Sequence, residues 1–296
     1  MPDETCAASP DRQQDPTPVP DGLVLVSTPI GNLGDITPRA VEALRAADLV
    51  LCEDTRHSGR LLSALGIRAR LQPLHEHNED ASIPGLLALL RQGKRIALVS
   101  DAGVPLVSDP GYRLVRAAIG EGLPVGAVPG ANAAITALVL SGLPPLPFLV
   151  LGFPPPRQAA RRASFEGLRA AERAGLKGTL IWHEAPHRLA ATLADMVESF
   201  GARPAAVARE LTKRFEEVRR GRLPELAAHY AAEAARGEIT IVLGPAEEER
   251  TEEGLDEKLR QALATHSVKD AAALVAAATG LPRKLVYARA LALGVL

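Results

Sequence analysis

The stretch Leu23–Asp35, LVLVSTPIGNLGD, decides how this chain is read. Four apolar residues run into a loop that holds Pro29, Gly31 and Gly34, and Asp35 leads into a helix-like segment. A short apolar run ahead of a glycine-bearing loop reads as a buried strand turning into a helix, the opening unit of a parallel α/β sheet. The loop is not G-x-G-x-x-G, the chain has no G-x-x-x-x-G-K-[ST], and no Lys or Arg lies within the loop. It is therefore neither a dinucleotide fingerprint nor a P-loop. A ligand there would meet backbone amides and small side chains.

The same rhythm continues outward. ITPRAVEALRAAD is a helix, with Thr37 to cap it and Pro38 in its first turn. DLVLCED and RIALVSD are strands, LQPLHEHN a short strand and LPVGAVPG a further strand, each alternating with a helix: RHSGRLLSALGI, IPGLLALLRQGK, PGYRLVRAAIGEG and ANAAITALVLSG. Alternation through Gly142 argues for a mostly parallel sheet with helices on both faces. The prolines of LPPLPFLVLGFPPPRQ then mark a crossing into a second domain. There GTLIWHE, RPAAVARELT, FEEVRRGRL and EITIVLG read as strands, and PHRLAATLADMVESFG and LPELAAHYAAEAARG as helices. RPAAVARELT and FEEVRRGRL follow each other closely, so this half contains an antiparallel pair. The expected organisation is a disordered tail over 1–21, an α/β domain over 22–142, a second α/β domain with a mixed sheet over 143–245, an acidic linker over 246–254, and a C-terminal helical domain over 255–296, in which SVKDAAALVAAATGLPRKLVYARALAL is two amphipathic helices joined at TGLP.

Composition narrows the function classes. With 296 residues, 47% of them hydrophobic, the chain can build about two cored domains. A formal net charge of −1 gives no global pull toward nucleic acid or membrane, so any RNA surface must be a local patch. Cys6 and Cys52 make no disulfide framework, which suits a reduced cytoplasmic chain, and no apolar run nears the roughly 20 residues that span a bilayer. HEAPH (183–187) matches the H-E-x-x-H zinc signature literally. Pro186 would stand in the first turn of the following helix and His183 in the turn before it, so the two histidines would not share a helical face, and no metal is expected. His75 and His77 would share a strand face, without a third ligand to complete a site.

Two more strand–turn–helix loops stand beside the first: VSDAGVPLVSDPG (99–111) and VPGANAA (128–134). Three such loops at the carboxyl edge of one parallel sheet make a shared small-molecule site, rich in backbone and poor in charge. That suits a ligand with an adenosine part, an amino-acid part and no phosphates.

At this point TPIGNLGDITPRA, CEDTRHSGRLLSALGI, LHEHNE, ALVSDAGVPLVSDPGYRLV, PGANAAITALVLSGLP, GFPPP, TLIWHEAPHRL, ARELTKRFEE and GEITIVLG run in order. Together they resemble the ribosomal RNA small subunit methyltransferase I family, a branch of the tetrapyrrole-methylase-like superfamily, over about residues 22–245. The terminal helices are similar to the helix-turn-helix tail of many members. The resemblance implies two α/β domains of the tetrapyrrole methylase type, S-adenosylmethionine in the cleft between them, and a homodimer. The implied activity is methylation of the ribose 2′-oxygen of a decoding-region cytidine of 16S rRNA in the 30S subunit. Carried over by motif, the cofactor contacts are Pro29, Asp101, Ala102, Gly103, Val104, Asn132, Ala133, Ala185 and Leu211. Ala131 stands where many relatives carry proline or serine.

A ribose hydroxyl is a weak acid, so a base, or a cation that steadies the forming alkoxide, should stand near it. Lys213, or the loop of Asp54 and Arg56, is expected there, with Glu53 and Glu210 nearby in sequence. RNA contacts are expected from Arg157, Arg161 and Arg162, and from Arg214, Arg219 and Arg220 within a segment, Arg203–Arg222, of seven Arg/Lys against three Glu. Two alternatives stay open: a superfamily methylase acting on a tetrapyrrole or a protein residue, and a DNA-binding regulator that uses the terminal helices.

Overall fold

The structure, a computed structural model, describes residues 20–246, 252–279 and 281–293. Cys6, nearly all of the expected tail, part of the expected linker and Gly280 of TGLP lie outside the described residues. The chain divides into two compact units, Met1–Pro245 and Ala246–Leu296.

The first unit opens with β1 (Leu23–Val26), α1 (Pro38–Ala46), β2 (Leu49–Cys52), α2 (Thr55–Ala64), β3 (Leu71–Pro73), α3 (Glu79–Arg91), β4 (Ile96–Val99), α4 (Tyr112–Gly120), β5 (Val125–Val128) and α5 (Ala133–Ser141). The strands form one parallel sheet in the order β3-β2-β4-β1-β5. β2 and β4 are buried at every position, as expected of strands covered on both faces. β1 sends the chain one way across the sheet to β2, and β4 sends it the other way to β5. The crevice between their carboxyl ends is thus the place where this architecture binds ligands.

The chain continues with β6 (Phe148–Val150), α6 (Gln158–Arg173), β7 (Thr179–Glu184), α7 (Leu189–Phe200), β8 (Pro204–Arg209), β9 (Glu217–Arg222), α8 (Leu223–Ala232) and β10 (Ile239–Leu243). Their sheet is mixed, ordered β6-β7-β10-β8-β9, with β6 parallel to β7 and the other pairs antiparallel. Phe165, Trp182 and Phe200 pack edge to face or tilted at 5.4–6.0 Å in its core. On the opposite face α5 buries Ala134, Ala137 and Leu138 against Ile181, Ala206, Ala208 and Val242, which fixes the two sheets to each other. β9 is the charged edge strand EVRRGR, a composition that discourages further strand pairing.

Several elements differ from the sequence expectation. β6 lies within the segment read only as a proline-rich crossing, and α6 runs on from its end through residues to which the sequence reading assigned no element. α3 starts at Glu79, four residues before IPGLLALL, because the buried Glu79 carboxylate accepts from Leu114 N (2.9 Å) and pairs with Arg113 (3.2 Å). His75 and His77 sit past the end of β3, in the turn into α3, rather than on a strand face. α7 starts only at Leu189, so Pro186 lies in a turn, and His183 is on β7 instead of in a turn. The histidines of HEAPH therefore belong to different elements.

Among the described residues the second unit holds three helices instead of two: α9 (Glu252–Leu263), α10 (Val268–Thr279) and α11 (Arg283–Leu293). α9 begins inside the expected linker. Leu255, Leu259 and Ala262 recur along one face of it and join Ala271, Val275, Val286 and Ala290 in a small core.

Candidate active site

Three loops converge at the carboxyl edge of the parallel sheet and are tied to one another. Thr28 and Gly103 exchange both backbone hydrogen bonds (2.9 and 3.2 Å), joining the loop after β1 to the loop after β4. Ser100 Oγ donates to Gly103 O (2.9 Å), and Ser27 N donates to Val128 O at the end of β5 (3.1 Å). The loop after β4 is tightly wound. Gly111 has φ +118, and a Cβ there would meet Leu98 at 2.4 Å. Leu106 and Ser108 hold left-handed backbone at φ 72 and 69 without being glycine, a strain that loops at functional sites often carry.

These loops and the edge of the mixed sheet enclose a cavity of about 530 Å³. Its apolar wall includes Ile30, Val104, Val107, Val150, Phe153, Leu211 and Ile239; its polar groups include Asp101, Asp109, His183, Glu184, Glu238 and Thr240. No Arg or Lys is among the described residues that line it. Asp101 Oδ1 is buried there without a hydrogen-bond partner among the described residues. Asp109 is half-buried, and burial, followed by the charges of Glu53 and Asp101, pushes its carboxyl up to about 6. Burial also lowers His183, whose Nδ1 lies 3.2 Å from Thr240 Oγ1, so the ring is neutral near pH 7. Glu184 is occupied structurally: it accepts from Thr192 Oγ1 and Ala185 N and pairs with Arg188 (3.1 Å).

Of the cofactor contacts expected from sequence, Asp101, Ala102, Gly103, Val104, Asn132, Ala133, Ala185 and Leu211 all line this cavity. Pro29 does not; its neighbour Ile30 does, since successive residues of an extended segment point to opposite sides. Asn132 Oδ1 caps α5 by accepting from Ile135 N (3.0 Å), so its side chain shapes the wall through the helix start.

The expected catalytic residues separate. Lys213 stands at the mouth: its stem packs over Gly31, where a Cβ would meet it at 2.4 Å, and its Nζ pairs with Glu210 (2.9 Å) and Glu238 (3.2 Å). Burial alone would lower its pKa, but Glu210 and Glu238 together hold it above the usual lysine range. Lys213 is therefore a cation and not a base. Asp54 and Arg56 are not brought to the cavity. Asp54 caps α2, accepting from Arg56 N (2.7 Å) and His57 N (3.3 Å), and the Arg56 side chain is 88% exposed on a shallow depression of α2. The sequence reading passed over Asp109, Phe153, His183, Glu238 and Thr240 as site residues; Asp109 alone carried a signal, its place in the loop 99–111.

This arrangement can be set beside known proteins. The family described as Tetrapyrrole (Corrin/Porphyrin) Methylases matches residues 22–227, and the RsmI C-terminal HTH domain matches residues 248–294. Ribosomal RNA small subunit methyltransferase I of Micromonospora olivasterospora is 49% identical over 90% of this chain and 85% of that protein. The protein of the same name from Mesorhizobium japonicum is 48% identical over 93% of each chain. The chain belongs to the ribosomal RNA small subunit methyltransferase I family. Among solved structures, uroporphyrin-III-C-methyltransferase of Thermus thermophilus superposes with a TM-score of 0.52 at 26% identity, covering 75% of this chain and 93% of that one.

For a ribosomal RNA methyltransferase family, the surface cations matter, and the structure redistributes the expected ones. Arg161 is buried at 4% exposure, bound to the fully buried Asp195 at 2.5 Å; it holds the fold and is unavailable to phosphate. Arg162 pairs with Asp195 and Glu198, Arg219 with Glu217, and Arg220 donates to Leu140 O. Arg157 and Arg214 are exposed and form no ion pair among the described residues. No helix among the described residues is long and apolar enough to cross a membrane.

Proposed function

We propose that this chain transfers a methyl group from S-adenosylmethionine to the ribose 2′-oxygen of a decoding-region cytidine in 16S rRNA. The observation that carries the cofactor assignment is the cavity: it is backbone-rich, no Arg or Lys lines it among the described residues, and Asp101 in its wall has one buried carboxylate oxygen without a hydrogen-bond partner there. That donor set repels phosphates and favours a ligand with cationic and hydrogen-donating groups. S-adenosylmethionine, when bound, supplies a methyl group on a positively charged sulfur. Asp101, Ala102, Gly103, Val104, Asn132, Ala133, Ala185 and Leu211 are the residues that would hold it.

The rest of the chemistry falls to groups of this chain. Asp109, half-buried in the cavity wall with a pKa of about 6, is ionised at neutral pH and suited to accept the hydroxyl proton. Lys213, held cationic at the mouth, is suited to steady the alkoxide as charge develops. A homodimer follows from the resemblance to the family. The assembled 30S subunit as substrate and a cytoplasmic location follow from the same reading.

Asp109 carries a pH prediction. Wild-type turnover should fall as pH drops through about 6, and Asp109→Asn should be much slower and lack that limb. The linkage sign is set by the raised folded pKa. The fold gains from the protonated carboxyl below the ordinary value of 3.8 and loses that gain as pH rises through about 6. Asp109→Asn should therefore be more heat-stable than wild type at pH 8 while less active; equal stability with unchanged turnover would contradict the assignment. The function itself is tested by incubating the protein with methyl-labelled S-adenosylmethionine and, separately, 30S subunits, a precorrin and duplex DNA. Label should enter 16S rRNA alone. Label in the tetrapyrrole, or duplex binding without transfer, would overturn the reading.

A further inference from the structure

We infer that Phe215, with the guanidinium of Arg214 over its ring, on the loop that carries Leu211 into the cavity wall, is a stacking platform for an unpaired RNA base. The inference rests on the rRNA reading above and names how the substrate strand is held.

Residues 210–216 join β8 to β9, whose ends pair Arg209 with Glu217. This hairpin loop reaches the site at two points: Leu211 lines the cavity and the Lys213 stem covers Gly31 of the first loop. It is braced. Glu210 N donates to Glu238 O (2.9 Å), Lys213 N to Glu210 O (3.0 Å), Glu216 N to Lys213 O (3.1 Å) and Thr212 N to Glu216 Oε2 (2.6 Å). Glu210 and Thr212 hold left-handed backbone at φ 51 and 66; Gly237 beside them does so too at φ +82, and a Cβ there would displace the Glu210 side chain. A loop fixed at this cost presents its outer residues in defined positions.

One of the loop's exposed residues is Phe215. It is 65% exposed and belongs to none of the apolar clusters among the described residues. Its one aromatic or cationic contact there is Arg214, whose Cζ lies 5.6 Å from the ring centre. A core residue would be covered, and a surface apolar residue with no task gains nothing from a braced loop. A flat ring with a guanidinium over one face, two residues along the chain from Lys213, complements a base and its phosphate better than an apolar protein face. The requirement comes from the chemistry as well: a 2′-hydroxyl reaches an enclosed cavity only when its nucleotide leaves the stack, and the exposed base then needs a new stacking partner.

The test uses the full-length protein, 30S subunits that lack the modification, and three variants. Stacking on an aromatic side chain contributes about 1–3 kcal/mol per base, which converts to roughly 5- to 150-fold. Phe215→Ala and Phe215→Leu should both raise the KM for 30S by that factor, with the Kd for S-adenosylmethionine and the melting temperature unchanged. Phe215→Trp should restore the wild-type KM. If the wild type methylates 30S and Phe215→Leu matches it, the platform is wrong while the rRNA reading stands. If Phe215→Ala instead changes the oligomeric mass in light scattering with the KM intact, the ring faces protein and the inference is overturned. If the wild type leaves 16S rRNA unlabelled, the underlying reading fails first.

Discussion

Asp195→Ala should lower the stability of the first unit by about 3–5 kcal/mol, the range for removing one partner of a buried ion pair. Asp195 is fully buried and holds three side chains of α6: Arg161 at 2.5 Å, Arg162 at 2.7 Å and Gln158 at 3.0 Å. Truncation strands the Arg161 guanidinium, 4% exposed, with only the Pro155 and Pro156 carbonyls near it. Domains of this size shift by roughly 2–4 °C per kcal/mol, so the melting temperature should fall by roughly 6–20 °C. Replacing the pair together, Arg161→Met with Asp195→Leu, should recover much of the loss, because no charge is then left buried alone. Burial raises the Asp195 carboxyl, but hydrogen bonds from Arg162, Gln158 and Arg161 outweigh it and hold its pKa below the usual aspartate value. Its contribution is thus complete above the unfolded value near 3.8 and is lost as pH falls through the lowered one. A melting temperature for Asp195→Ala within a degree of wild type at pH 7 would show that the cluster is not structural.

Asp101→Ala should have the opposite signature: weaker cofactor binding without weaker folding. Its Oδ1 is buried and unpaired among the described residues, a state that costs the free protein about 1–3 kcal/mol and is relieved by a ligand donor. A hydrogen bond to a charged group contributes about 1.5–3 kcal/mol, so the Kd for S-adenosylmethionine should rise by roughly 10- to 150-fold. In the absence of cofactor the melting temperature should hold or rise. Calorimetry of both quantities on one sample decides it. A fall in melting temperature that accompanies the loss of binding would make Asp101 a structural residue.

What the sequence made legible follows from how directly each feature depends on neighbours along the chain. The parallel half was readable because its strands are short apolar runs closed by turn formers, as at LVLV before Pro29 and IALV before Asp101. The loop 99–111 was readable as a ligand-binding turn for the same reason, while Asp101, Ala102, Gly103 and Val104 as cofactor contacts came from the family resemblance. β6 was hidden because its three residues, Phe148–Val150, sit between Pro147 and the run Pro154–Pro156. α6 was hidden because its core face rests on Phe165 and on an arginine, Arg161, which no hydrophobic pattern reports. α9 was masked by acidic residues around Leu255 and Leu259. The chemistry at the mouth was the least legible. Lys213 is held above the usual lysine range by Glu210 and Glu238, and Asp109 is raised first by burial and then by the charges of Glu53 and Asp101, surroundings that exist only in the fold.

The role proposed for the cavity at the carboxyl edge of the parallel sheet is transfer of a methyl group to a ribose oxygen of 16S rRNA. The most direct test is to digest 16S rRNA labelled by the protein in 30S subunits and locate the methyl group. The account predicts one alkali-resistant dinucleotide carrying a 2′-O-methylcytidine from the decoding region, and its loss with Asp109→Asn. Label on a base, on a ribosomal protein, or undiminished in Asp109→Asn would contradict it.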